Sequence, residues 1–286
     1  MTNLRLIRRR IRGIQSTAKI TRAMEMVAAS KMKKAQERGL AGRPYSDKID
    51  QVISALAALP GEKAHPLLER REVKTIYVIH ITPDRGLCGG LPGNINRELI
   101  GFVLSQSVPV KVVAVGRKGI DFLRRSGRAI VAEFPGLGDQ PSFLDTLPIS
   151  RIVIDDFTSG KADAVYISYA VFVNTMLQRP TLKKLLPMEP APIPVTQNVE
   201  YIYEPEPGAV LGGLLPRFVE MEVYHAVLES IASEQSARMV AMRNATNNAN
   251  DLINDLTLLY NKVRQESITK ELLDINAGAE VLGRRS

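Results

Sequence analysis

From Arg217 to Ala277 the chain runs for 61 residues without a Gly or a Pro. An unbroken helix there would be about 90 Å long, at about 1.5 Å per residue, which exceeds the width of a compact domain. A seam with alternating steps of four and three runs through it: Leu211, Leu214, Phe218, Met221, His225, Leu228, Ala232, Gln235, Met239, Met242, Thr246, Ala249, Ile253, Leu256, Tyr260, Val263 and Ser267. That 3.5-residue period is the coiled-coil period, held for longer than a globular helix needs. Ala232, Gln235, Thr246 and Ala249 make the seam too small and polar to be stable alone in water. It requires a partner helix.

The other end of the chain offers one. Leu4 to Arg38 reads as helix, with Ile7, Ile11 and Ile14 on one stripe and Ile20, Met24 and Val27 on a neighbouring one. Alanines at positions 18, 23, 28, 29 and 35 permit close approach of a second helix. Gly39, Gly42 and Pro44 predict an interruption or kink, after which Tyr45, Ile49, Val52, Leu56 and Leu59 resume the seam up to Pro60-Gly61.

Between these ends the texture changes. Lys74–Thr82, Val108–Val115, Ala129–Phe134 and Ala164–Phe172 read as strands, with Thr181–Leu186 as a further candidate. Helices are expected over Asn94–Gln106, from Gly116 to Arg125 and around Ile149–Phe157. Strands alternating with helices predict an α/β, Rossmann-like domain with a sheet at least partly parallel. Pro187–Pro207 carries 6 prolines and reads as a linker or extended arm. Gly208–Gly213 then leads into the last helix, with Pro216 expected in its first turn. The predicted organisation is a helix over 1–59, an α/β domain over 73–195 and a helix over 208–286. A compact insert brings its entry and exit together, so the two long helices pair antiparallel if they pair with each other. The longer last helix then leaves Leu272, Leu273, Ile275, Ala277, Ala279, Val281 and Leu282 uncovered by this chain, which calls for a foreign subunit.

Charge sharpens this picture. The net charge is +8, yet residues 1–44 hold 12 Lys/Arg against Glu25 and Glu37, giving +10, so the remainder sums to −2. An acidic partner along the first helix is implied, with a solvated face or nucleic acid as the alternatives. The hydrophobic seam and the lack of stacking aromatics argue against nucleic acid. No run of 18 apolar residues predicts a membrane span, and the N-terminus lacks a signal-type apolar region. A lone Cys88 excludes an internal disulfide, His65, His80 and His225 do not form a ligand spacing, and a reducing, cytosolic compartment is expected.

Catalytic motifs are missing. Asp84-Arg85-Gly86-Leu87-Cys88-Gly89-Gly90 sits where phosphate-cradling loops occur, but its spacing fits neither the dinucleotide fingerprint nor the P-loop. It reads as a tight structural turn. Asp155-Asp156, Glu204 and Glu206 read as helix-end and loop acids. No cofactor and no catalytic or metal-binding set is expected.

Several stretches together resemble the ATP synthase γ subunit family. They are Ile20–Met32 (ITRAMEMVAASKM), Thr82–Gly90 (TPDRGLCGG), Tyr201–Pro207 (YIYEPEP), Ser236–Thr246 (SARMVAMRNAT) and Ile268–Ala279 (ITKELLDINAGA). The resemblance covers essentially the whole chain in order. It implies a long antiparallel coiled coil of the terminal helices with an inserted Rossmann-like α/β domain. The implied role is the non-catalytic central-stalk rotor of a bacterial-type, proton-translocating F-type ATP synthase. Such a rotor carries torque between a membrane c-ring and catalytic β subunits, peripherally at the cytoplasmic face of the cell membrane. The implied partners are the α and β subunits of the catalytic ring, the ε subunit and the c-ring. By the resemblance, Arg22, Met24 and Lys31 face an acidic lever of the β subunit. Arg264, Gln265, Thr269 and Glu271 meet a β catch loop, and Arg238 couples torque. Leu272, Leu273, Ile275 and Leu282 occupy an apolar sleeve at the ring's apex. Tyr201, Tyr203 and Glu204 form a foot near ε and the c-ring. Chloroplast relatives carry a regulatory cysteine pair that this sequence lacks. The readings from other classes are a basic coiled-coil nucleic-acid adaptor and a Rossmann-like nucleotide-dependent enzyme.

Overall fold

A computed structural model describes residues 4–57, 65–188, 204 and 206–283. Its elements are α1 (Leu4–Ala57), a 3-10 turn (Pro66–Leu68), β1 (Ile76–Ile81), α2 (Leu91–Ser105), β2 (Val110–Val115), α3 (Arg117–Arg125), β3 (Ile130–Phe134), α4 (Phe143–Thr158), β4 (Ala164–Phe172), β5 (Gln178–Leu186) and α5 (Pro207–Gly283). Two compact units result. One joins residues 1–27 with 239–286, and the other spans 28–238.

The larger unit is built on a five-stranded sheet of order β3-β2-β1-β4-β5. Its first four strands in that order are parallel, and β5 returns antiparallel to β4. The period-2 alternation of strands sorts their side chains onto two faces. Ile76 and Val78 of β1, Val112 and Ala114 of β2 and Ala164 of β4 pack with Leu99, Ile120 and Leu123 of α2 and α3. Tyr77, Ile79, Ile81, Val113, Val115, Val165 and Ile167 face the other way. There they meet Ile149, Val153 and Phe157 of α4, Ile49, Ile53 and Leu56 of α1, and Leu215, Val219 and Val223 of α5. Both faces of β1 are therefore buried, as a central parallel strand requires.

Local chemistry explains the element boundaries. A capping box at Ser142 and Asp145 starts α4 several residues earlier than expected, with Pro148 inside the helix. Its backbone and hydroxyl bonds from Ser142 also hold the Asp145 carboxyl below its ordinary pKa. Gly116, at φ 87°, ends β2 where a Cβ would lie 1.9 Å from the Thr82 carbonyl oxygen, so only Gly fits. Thr82 completes that corner. Its Oγ1 accepts from the Gly119 N–H at 2.8 Å and donates toward the Val115 carbonyl at 3.0 Å.

Two sequence expectations are corrected. The interruption at Gly39–Pro44 does not occur: α1 continues as one helix through Pro44. Buried Ala35, Ile49 and Ile53 on either side hold it against the larger unit's core, and that packing outweighs the local cost of Gly and Pro. Pro216 lies inside α5 rather than in its first turn, since the helix begins at Pro207 and includes Gly208, Gly212 and Gly213. Leu211 and Leu215, at 3% and 0% exposure, anchor that early start in the core. Most of Pro187–Pro207, including Tyr201 and Tyr203, lies outside the described residues.

Candidate functional site

Parallel α/β sheets bind ligands at the carboxyl ends of their strands, near the point where strand order reverses. Here the chain's own last helix takes part of that place. Ser233 Oγ donates to the Ala170 carbonyl at 2.8 Å, and Ser236 Oγ donates to the Thr175 carbonyl at 3.0 Å. Gln178 Nε2 reaches Ser236 Oγ at 3.2 Å. Ala237 packs with Cys88, Leu91, Ile95 and Ala170. Hydroxyls and an alanine suit this contact because they let the helix backbone approach the strand ends while leaving no polar group unpaired.

The Asp84–Gly90 loop forms the other jaw. Asp84 Oδ1 accepts from the backbone N–H groups of Arg117 and Gly136, each at 3.0 Å, tying together the segments that follow β1, β2 and β3. Leu87 (φ 64°) and Gly89 (φ 61°) turn the chain back, which buries Cys88 to 1% exposure. Burial pushes the Cys88 thiol up, away from the thiolate that a reactive cysteine needs. Arg238 Nη2 donates to the Gly86 carbonyl at 3.2 Å and pairs with Glu234 Oε1 at 2.6 Å. Burial raises the Glu234 carboxyl above its ordinary pKa, against the opposing pull of the Arg238 guanidinium. Asp139, just beyond β3, accepts from Lys31 Nζ at 2.6 Å and from Gln235 Nε2 at 2.9 Å. One carboxylate thus joins α1, α5 and the loop after β3. The turn expected from the sequence is present, and its second role is to clasp α5.

In the smaller unit α1 and α5 are antiparallel. Thr21 Oγ1 lies 2.7 Å from Thr246 Oγ1, and Arg243 Nε donates to Glu25 Oε1 at 2.8 Å. Moving forward along α1 therefore means moving backward along α5. The inward seam of α1 is Ile7, Ala18 and Thr21, at 2%, 9% and 8% exposure, with Ile11 and Ile14 half-buried. The neighbouring apolar stripe is turned mostly outward, with Ile20 57% and Val27 53% exposed and Met24 half-buried. Along α5 the predicted seam is buried at Met239, Met242, Thr246 and Ala249, then half-buried at Ile253, Leu256, Tyr260, Val263 and Ser267.

The residues singled out from the sequence do not form one cluster. Arg22 is exposed and Met24 half-buried, whereas Lys31 is committed to Asp139 and Arg238 is buried at 8% exposure. Arg264, Gln265, Thr269 and Glu271 are exposed along α5, and Ser267 Oγ lies 3.5 Å from Glu271 Oε1. Leu272, Leu273 and Ile275 expose 57%, 63% and 66% of their surface, an arrangement that isolated apolar side chains in water do not favour. The side chain of Leu282 lies outside the described residues, as do Tyr201 and Tyr203, while Glu204 is exposed. Sequence reasoning missed Asp84, Asp139, Glu234 and the Ser233/Ser236 pair as structural links. The signal available was the run of small hydroxyl residues flanking an otherwise apolar seam.

Among the described residues no group of His, Cys, Asp and Glu is placed to hold a metal, and no helix is long and apolar enough to cross a membrane. A family model described as "ATP synthase" matches residues 3–282. The ATP synthase gamma chain of Dehalococcoides mccartyi strain CBDB1 is 67% identical over 284 residues, covering 99% of this chain and 100% of that one. That of Roseiflexus castenholzii is 51% identical over 287 residues, covering 99% of each. A chain of the Tetrahymena thermophila mitochondrial ATP synthase central stalk and c-ring structure matches with TM-score 0.61 and 27% identity, covering 79% of this chain and 99% of that chain. A chain of the Euglena gracilis mitochondrial ATP synthase in rotational state 3 matches with TM-score 0.67, covering 98% of this chain and 94% of that one. At 19% identity that last likeness concerns the fold alone.

Proposed function

The chain belongs to the ATP synthase gamma chain family, and on that premise we propose that it is the non-catalytic rotor of a proton-driven F-type ATP synthase. It transmits torque between a membrane c-ring and a ring of α and β subunits, coupling proton flow to ATP synthesis and hydrolysis. The observation that carries this reading is the antiparallel pairing of α1 with α5, bonded at Thr21–Thr246 and at Glu25–Arg243, in a chain whose relatives are ATP synthase gamma chains. A paired helix of this kind resists bending and twisting better than a single helix, as a torque-bearing shaft requires.

The site assignments follow from the same reading. Arg22, Met24 and Lys31 are assigned to contact with an acidic lever of the β subunits, and Arg264, Gln265, Thr269 and Glu271 separately to a β catch loop. Arg238 holds the helix to the sheet domain. Leu272, Leu273, Ile275 and Leu282 enter an apolar sleeve, and Tyr201, Tyr203 and Glu204 stand near ε and the c-ring. The chain works peripherally at the cytoplasmic face of the cell membrane as part of the complex. It uses no cofactor of its own.

Single-molecule rotation tests the reading. The α/β ring of the purified complex is fixed to a surface, and a bead is attached to the sheet domain of this chain. Addition of ATP is expected to turn the bead in one direction. A stationary bead on a complex that still hydrolyses ATP would refute the rotor assignment.

A further inference from the structure

On the face of the sheet away from α4, helices α2 and α3 leave a groove of about 560 Å³, lined by Pro92, Gly93, Asn96, Arg97, Ile100, Lys118, Phe122 and Arg125. Ile100 and Phe122 are half-buried in its floor, while Arg97, Lys118 and Arg125 are exposed at its rim. No carboxylate lines it, and among the described residues none of the three cations makes a salt bridge. Asn96 is already engaged below the floor, where its Oδ1 bonds His80 Nε2 at 2.9 Å. A Cβ on Gly93 would meet nothing within 4 Å, so the groove is open there.

We propose that this groove is a docking site for an acidic, amphipathic helical segment of another subunit of the complex. The spacing of the charges selects that occupant. Lys118 and Arg125 are seven residues apart on one helix, with Phe122 between them, which sets their Cα atoms about 10 Å apart along the helix axis. A single phosphate or carboxylate headgroup needs cations that converge on one point. Charges spread over two helical turns instead match carboxylates at i and i+7 on a partner helix, whose apolar i+3/i+4 residues meet Ile100 and Phe122. Charge complementarity of this kind fixes orientation and partner choice more than raw affinity.

The proposal rests on the rotor reading for the presence of partner subunits, and the test separates the two. A photo-crosslinking amino acid replaces Phe122 in the tagged chain, and the native complex is purified and irradiated. Failure of the other subunits to co-purify, with the unmodified tagged chain as well, counts against the rotor reading and removes the premise of the docking site. With the complex intact, the expected product is a crosslink to one helical segment carrying carboxylates about seven residues apart. Its yield should fall at least about fivefold in a Lys118→Gln/Arg125→Gln variant and at high salt, where screening shortens electrostatic reach. Gly93→Leu, which fills open space and favours helix, should block the crosslink while leaving circular dichroism unchanged. A crosslink to lipid, a crosslink to a segment without carboxylates, or no crosslink in an intact complex overturns the proposal.

Discussion

Replacing His80 with Gln should flatten the acid sensitivity of the sheet domain. His80 is fully buried, with its Nδ1 3.2 Å from Ser168 Oγ and its Nε2 2.9 Å from Asn96 Oδ1. Because Oδ1 can only accept, Nε2 carries the proton, and Nδ1 accepts from the Ser168 hydroxyl. Burial lowers the ring's pKa from 6.5 to about 4, and the bond to Asn96 offsets only part of that. The unfolded chain then binds more protons than the folded one through this interval, so stability falls as pH falls. The contribution is fully present above the unfolded value and lost on the way down to the folded one. From these two values the loss is about 2 kcal/mol between pH 7 and pH 5, and about 3 kcal/mol by pH 4. Gln keeps an amide able to donate to Asn96 and accept from Ser168 but does not titrate. Urea unfolding at several pH values, followed through tyrosine near-ultraviolet circular dichroism, measures the difference. The chain has no Trp to complicate that signal. His65 is also lowered by burial and Glu234 is raised, but both are common to the two proteins and cancel. Parallel pH curves for wild type and variant would refute the buried, neutral histidine.

Three further outcomes are expected. Arg238→Ala leaves the buried Glu234 carboxyl without its ion-pair partner and should cost about 3 kcal/mol in urea unfolding, with Glu234→Gln recovering much of it; a purely additive double-mutant cycle would contradict the coupling. Gly116→Ala combines a left-handed backbone with a Cβ 1.9 Å from the Thr82 carbonyl oxygen, and should cost at least about 3 kcal/mol in thermal unfolding. A loss under about 1 kcal/mol would show that the corner relaxes. Removing the residues after Ala277 should loosen assembly of the complex, measured by co-purification, far more than it lowers stability of the sheet domain. Equal losses in both would contradict the placement of the apolar tip.

The helical period and the α/β alternation were legible in the sequence because both are local patterns of side-chain direction. The seam through Met239, Met242, Thr246 and Ala249 is buried where the 3.5-residue period puts it, and β1, β2 and β4 stand where β-branched runs announced them. Local rules misjudged Pro44 and Pro216, since each reads as a boundary but lies inside a helix held by distant packing. Tertiary structure alone decided which of two apolar stripes on α1 turned inward, and that Asp139 would draw in both Lys31 and Gln235. It also seated Ser233, Ser236 and Arg238 at the carboxyl ends of the strands. Those pairings join residues far apart in the chain, and no periodicity within a segment encodes a partner brought near only by folding.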